Sequence, residues 1–208
     1  MEAGQLLAIE IEKLKLVDAI LLAIPRGGVP VAAEIAKKLH YPLNLIYSKK
    51  ISYPSQPEFA IGSVCEDSIF INENISVPKE YLEQKVKEIK NEIQNKKAKF
   101  NPFVNKTNLK NRNIILVDDG IATGNTLVTC IETLRKEKPA QIIIAVPVAP
   151  KRGLEKIKLK TDKFICLKLE EEFSGIGAFY IDFSQVGDDE VKQSLLEVNN
   201  ASKEQSTM

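Results

Sequence analysis

Residues 114–126 read Ile-Ile-Leu-Val-Asp-Asp-Gly-Ile-Ala-Thr-Gly-Asn-Thr. The short apolar run predicts a buried strand that delivers two carboxylates, Asp118 and Asp119, at its carboxyl end. A turn of small and hydroxyl-bearing residues follows. Beyond it, Leu127, Cys130, Ile131 and Leu134 recur at i, i+3, i+4 and i+7, the spacing of a helix with one apolar face. Strand, tight corner and helix make one unit of an α/β fold.

The same alternation appears on both sides. AILLAI from Ala19 leads into Ala32, Ile35, Ala36 and Leu39, again at helical spacing, and LNLIY from Leu43, QIIIAVPV from Gln141 and FICLKL from Phe164 read as further strands. Near-continuous Ile, Leu and Val predict a central, mostly parallel sheet flanked by helices. Between the second and third core strands lies an insertion at about 52–111, with β-like pieces FAIGSVCE from Phe59 and SIFIN from Ser68. A long helix should follow, with Pro78 in its first turn and Leu82, Val86, Ile89 and Ile93 as its apolar stripe. A hood at about 170–187 completes a single domain over 1–195, and 196–208 reads as a polar, frayed tail.

Composition narrows the function. With 29 Lys plus Arg against 28 Asp plus Glu, a net charge of +1 gives no overall attraction for nucleic acid. Nine basic residues between Lys85 and Arg112 face only Glu88 and Glu92, yet they spread around an amphipathic helix and a polar linker, so nucleic-acid binding is not expected. Cys65, Cys130 and Cys166 are odd in number and far apart, with no CxxC and one histidine, His40, which predicts neither a disulfide framework nor a zinc site. No apolar run is long enough to cross a membrane. The start of the chain lacks the features of a secretory leader, so a soluble protein of the reducing cytoplasm is expected.

The corner after Asp119 suits a phosphate. Gly124 lets the backbone approach an anion closely, the hydroxyls of Thr123 and Thr126 donate, and the following helix presents free N–H groups at its positive end. Asp118 and Asp119 can accept from a vicinal diol or anchor a hydrated magnesium ion, Mg2+. Neither a P-loop nor GxGxxG nor GxSxG occurs. A second corner, Pro25-Arg26-Gly27-Gly28, ends the first strand and leads straight into a helix, with two glycines leaving room for an anion.

The thirteen-residue segment resembles the phosphoribosyl pyrophosphate signature of the type I phosphoribosyltransferases. With PRGGVPVA and the segment Pro57-Glu58-Phe59-Ala60-Ile61-Gly62, the chain from Ala19 to about Val191 resembles a branch of that family without an assigned acceptor. The resemblance implies that Asp118 and Asp119 contact the ribose hydroxyls, with metal held through water. It implies that Gly120, Ile121, Ala122, Thr123, Gly124, Asn125 and Thr126 cradle the 5-phosphate, and that Arg26, Gly27 and Gly28 hold pyrophosphate, which a bidentate guanidinium suits. Lys49 to Pro57 would form a flexible loop closing over the sugar, with Lys49 and Lys50 neutralising the departing pyrophosphate. Arg26, Lys50, Asp118 and Asp119 are the expected catalytic residues.

The partners implied are phosphoribosyl pyrophosphate and a nitrogenous acceptor, and dimers are usual among relatives. Phe173, Phe179 and Tyr180 could stack on an acceptor ring while Glu170 to Glu172 accept from its amino groups; exposed acids and core aromatics explain the same letters. Where the hypoxanthine-guanine enzymes place an aspartate before Thr-Gly, this chain has Ala122, which argues against those two acceptors. His40, before Tyr41-Pro42, reads as structural. Two alternatives stay open at this point: a regulator that senses the same ligand, with RNA binding through the Lys85 to Arg112 face as an option, and a hydrolase that transfers the sugar phosphate to water.

Overall fold

The computed structural model describes residues 2–66, 68–72, 74–105 and 107–205. The first half of the chain forms α1 (Glu2–Glu12), β1 (Ala19–Ala23), α2 (Gly28–Leu39), β2 (Leu43–Leu45), β3 (Ser48–Tyr53), β4 (Gln56–Cys65), β5 (Ser68–Ile71) and α3 (Lys79–Phe100). The second half adds β6 (Asn113–Val117), α4 (Asn125–Lys136), β7 (Gln141–Pro150), α5 (Glu155–Lys158), β8 (Lys163–Glu170) and α6 (Asp188–Gln205).

A five-stranded sheet of order β2-β1-β6-β7-β8, parallel throughout, carries the core. Its register places Leu21 beside Ile115 and Ile115 beside Ile143, so these side chains share one face while Ile114, Leu116 and Ile144 share the other. The first face packs with Leu7 of α1, Ile35 of α2 and Leu195 of α6. The second packs with Leu127 and Ile131 of α4 and Ile157 of α5. Burying each such side chain contributes about 1.5–3 kcal/mol, and cutting Ile115 to alanine would cost about 2–5 kcal/mol with the cavity it leaves.

Two expectations change. The segment Lys49 to Pro57 is not a flexible loop: β3, a two-residue turn and the start of β4 form a hairpin within an antiparallel sheet of order β3-β4-β5. Its alternation explains why. Ile51 is buried against the core, while the flanking polar residues face outward or toward the site. Residues 196–205 are not a frayed tail either, because α6 continues to Gln205 and buries Val198. Residues 206–208 lie outside those described.

Two smaller points complete the frame. Pro78 is the N-cap of α3 rather than a residue of its first turn, and Ile89 and Ile93 are buried as the stripe predicts. His40 caps α2 with a left-handed backbone, its N–H donating to the Ala36 carbonyl.

Candidate active site

Both corners read from the sequence stand at the carboxyl tips of adjacent strands. β1 and β6 pair through their full length, ending at Ala23 beside Val117. The chain after β1 passes through a cis Pro25–Arg26 peptide and reaches Gly27 with φ −59° and ψ −35°. Gly27 lies directly against the second corner: a Cβ there would stand 1.9 Å from Asp119 Oδ2. At Gly28 it would meet the Val117 carbonyl at 2.8 Å. The two glycines therefore let one corner close onto the other.

After Asp119 the chain makes the second corner and enters α4. Gly124 has φ +73°, a conformation that favours glycine, and an added Cβ would lie 2.5 Å from Ile157. No side chain caps the first turn of α4, which leaves its N–H groups aimed at the corner. A cavity of about 310 Å³ lies there, lined by Asp118 to Leu127 and closed by Lys50, Ala60 and Ile176.

Burial drives the Asp118 carboxyl well above the usual range, and the charge of Asp119 pushes it further. Burial raises Asp119 as well. Burial thus holds both neighbouring carboxyls toward the protonated form. A ligand that donates hydrogen bonds or positive charge would restore their ionisation. The donor set is all oxygen, and the described residues contain no cluster of three or more acids, histidines or cysteines that could cage a metal. This fits Mg2+ bound through one or two carboxylates, water and substrate phosphates.

The lysines of β3 part company because successive strand residues face opposite sides. Lys50 pairs in register with Ser63 and borders the cavity. Lys49 turns instead to α3, where Glu92 accepts from it. Arg26 reaches Asp188 at the start of α6, at 3.6 Å, and Asp188 also pairs with Lys99. Of the basic residues between Lys85 and Arg112, Lys85 pairs with Glu88 and Lys97 with Glu66, so part of that face is already neutralised.

The family sequence profile described as phosphoribosyl transferase domain matches residues 1–183. The chain belongs to the phosphoribosyl transferase family. A Mycobacterium tuberculosis protein named as a candidate phosphoribosyl transferase is 32% identical over 195 residues, covering 91% of this chain and 44% of that protein. The chain thus spans less than half the length of that relative. Protein TT1426 of Thermus thermophilus shares 32% identity and a TM-score of 0.79 over 94% of this chain and 95% of its own. A hypoxanthine-guanine phosphoribosyltransferase of Bacillus anthracis, 17% identical with a TM-score of 0.50 over 83% and 79% of the two chains, shares the fold.

In this member of the phosphoribosyl transferase family the hood aromatics pack on one another: the Phe179 ring lies 5.4 Å from Phe173, stacked, with Lys168 Nζ 5.1 Å from its centroid. Both Phe179 and Tyr180 border a separate cavity with Pro147, Val148 and Leu167. Ile176 of the hood borders the cradle, its methyl 2.8 Å from where a Cβ on Gly120 would stand. Tyr180 supports it by donating its hydroxyl to the Asp119 carbonyl at 2.7 Å. Ala122 is exposed in the cradle and presents no carboxylate there. The side chain of Glu58 lies outside those described.

Three more contacts escaped the sequence reading. Lys156 of α5 donates to Asn125 Oδ1 at 2.5 Å, beside the phosphate corner. Ser63 and Thr129 share a buried 2.5 Å hydrogen bond that ties β4 to α4. Cys65 and Cys130, both buried free thiols, lie with Sγ atoms 3.1 Å apart in the same contact.

Proposed function

We propose that this protein transfers ribose 5-phosphate from phosphoribosyl pyrophosphate to a nitrogenous acceptor, releasing pyrophosphate. The observation that carries the reading is the contact of Gly27 with Asp119, because it joins an anion corner on β1 to a diol and phosphate corner on β6 within one ligand's length. The first turn of α4, with Thr123 and Thr126, holds the 5-phosphate. Asp118 and Asp119 accept from the ribose hydroxyls. Arg26 and the backbone at Gly27 and Gly28 hold the pyrophosphate, and Lys50 approaches it from the hairpin.

Mg2+, held by Asp118 and Asp119 through water, would neutralise charge on the leaving pyrophosphate when bound. The bond from the anomeric carbon to pyrophosphate oxygen breaks, its electron pair leaving with pyrophosphate. Positive charge develops on the sugar carbon and ring oxygen. The acceptor nitrogen supplies a lone pair to the opposite face of that carbon and then loses its proton. The residues contribute by position and charge rather than by covalent chemistry. Ile176 over Gly120 limits water at the reacting carbon, which favours transfer over hydrolysis.

Isotope-labelled phosphoribosyl pyrophosphate incubated with the protein, Mg2+ and a metabolite pool tests this by mass spectrometry. The reading expects a labelled ribose 5-phosphate adduct formed in step with pyrophosphate. Ligand binding without turnover would point to a sensor, and free labelled ribose 5-phosphate alone to a hydrolase.

A further inference from the structure

Helix α3 carries Glu92, Lys96 and Lys99 at i, i+4 and i+7, which places them along one face. The outer two are engaged in ion pairs. Glu92 holds Lys49 of β3, and Lys99 holds Asp188, which in turn holds Arg26 of the first corner. Lys96 therefore stands between the Lys49 pair and the Arg26 cluster. It is partly buried, yet among the described residues it makes no hydrogen bond or ion pair.

A lysine in that position is costly. Burial disfavours its charged form, and the charges of Lys49 and Arg26 depress it further, with Glu92 and Asp188 compensating only in part. Both acids are already engaged: Glu92 by Lys49, and Asp188 by two cations. Among the described residues nothing completes the charge balance at Lys96, whereas a polyanion entering beside Arg26 would do so. Asp188 occupies the Arg26 guanidinium in the meantime.

We infer that Lys96 is a substrate-binding residue, a cation reaching from α3 to the pyrophosphate group beside Arg26. The assignment rests on the transferase reading, since it names a further contact in the same site. It adds a ligand contact from the polar side of the amphipathic helix α3. It also gives Asp188 and Glu92 a part, as internal carboxylates that hold neighbouring cations in place until the ligand arrives.

Titration calorimetry on wild type, Lys96→Met and Lys96→Arg, with inorganic pyrophosphate plus Mg2+ and separately with ribose 5-phosphate, tests the inference. Losing a charge-assisted contact should weaken pyrophosphate binding by about tenfold or more in Lys96→Met. Ribose 5-phosphate affinity should stay level, and Lys96→Arg should recover most of the loss. The melting temperature of Lys96→Met should hold or rise, because an uncompensated cation is removed. Tight pyrophosphate binding that is the same in wild type and Lys96→Met would overturn this assignment and leave the transferase reading intact. A lowered melting temperature with unchanged pyrophosphate affinity would show a structural lysine instead. Wild type that binds neither pyrophosphate nor ribose 5-phosphate would bring down the transferase reading itself.

Discussion

Substituting alanine at two neighbouring glycines should separate the site from the fold. At Gly27 the backbone is helical, φ −59° and ψ −35°, so alanine fits without strain and gains a little from the unfolded state. Its Cβ, however, would stand 1.9 Å from Asp119 Oδ2, where real contacts stop at 3.0 Å. The flexible carboxylate must withdraw by at least the difference, and a displacement of about 1 Å at a reacting group costs about a hundredfold in rate. Losing the charged hydrogen bonds to the ribose would weaken ligand binding by about 1.5–3 kcal/mol, roughly 10- to 100-fold. At Gly28 the obstacle is backbone, with the Val117 carbonyl at 2.8 Å and Asp118 Cα at 3.0 Å, neither of which can swing away. Gly28→Ala should therefore destabilise the protein by about 1–3 kcal/mol. Calorimetry with phosphoribosyl pyrophosphate and Mg2+, run beside thermal melts, reads both effects. A folded Gly27→Ala protein with wild-type ligand affinity would refute the contact between the two corners as the basis of the site.

The other predictions concern single groups. Arg26→Ala and Asp119→Asn should each slow turnover by roughly a hundredfold in a pyrophosphate-release assay, and unchanged rates in both would exclude these residues from the chemistry. Asp118→Asn should weaken ligand binding yet raise apoprotein stability at pH 8. Its folded-state pKa lies above the unfolded value of about 3.9, so stability is fully present below that value and is lost as pH rises through the folded pKa. Thermal melts of this variant should exceed wild type at pH 8 and converge toward pH 4; equal curves at pH 8 would contradict the burial of an ionisable Asp118. Tyr180→Phe removes the donor to the Asp119 carbonyl and should weaken substrate binding severalfold, about 1 kcal/mol, while a hood indifferent to that bond would show no change.

The parallel sheet was legible because Ile114 to Val117 and its counterparts are buried on both faces, and buried parallel strands write themselves as unbroken apolar runs. The tight corner after Asp119 was legible because Gly124 adopts φ +73°, a conformation that favours glycine. The hairpin was harder. Lys49-Lys50-Ile51-Ser52-Tyr53 buries only Ile51 fully, packs Tyr53 partly against the core and shows polar groups elsewhere, a pattern shared with solvated loops. The hood's bond to the site could not be read, since the Tyr180 hydroxyl and the Asp119 carbonyl lie 61 positions apart. A separation of 65 positions hid the Cys65 and Cys130 contact. Lys96 looked like one of many basic residues until the neighbours of α3 were fixed. In each case the letters carried the residue type, while the decisive information was a long-range neighbour.

The central claim is that two corners grip opposite ends of one ligand, and a crystal structure with phosphoribosyl pyrophosphate and Mg2+ tests it most directly. The account predicts the 5-phosphate on the first turn of α4 at Thr123 to Thr126, the ribose hydroxyls on Asp118 and Asp119, and pyrophosphate at Arg26 to Gly28. Density for the ligand elsewhere, with both corners vacant at saturating concentration, would contradict it.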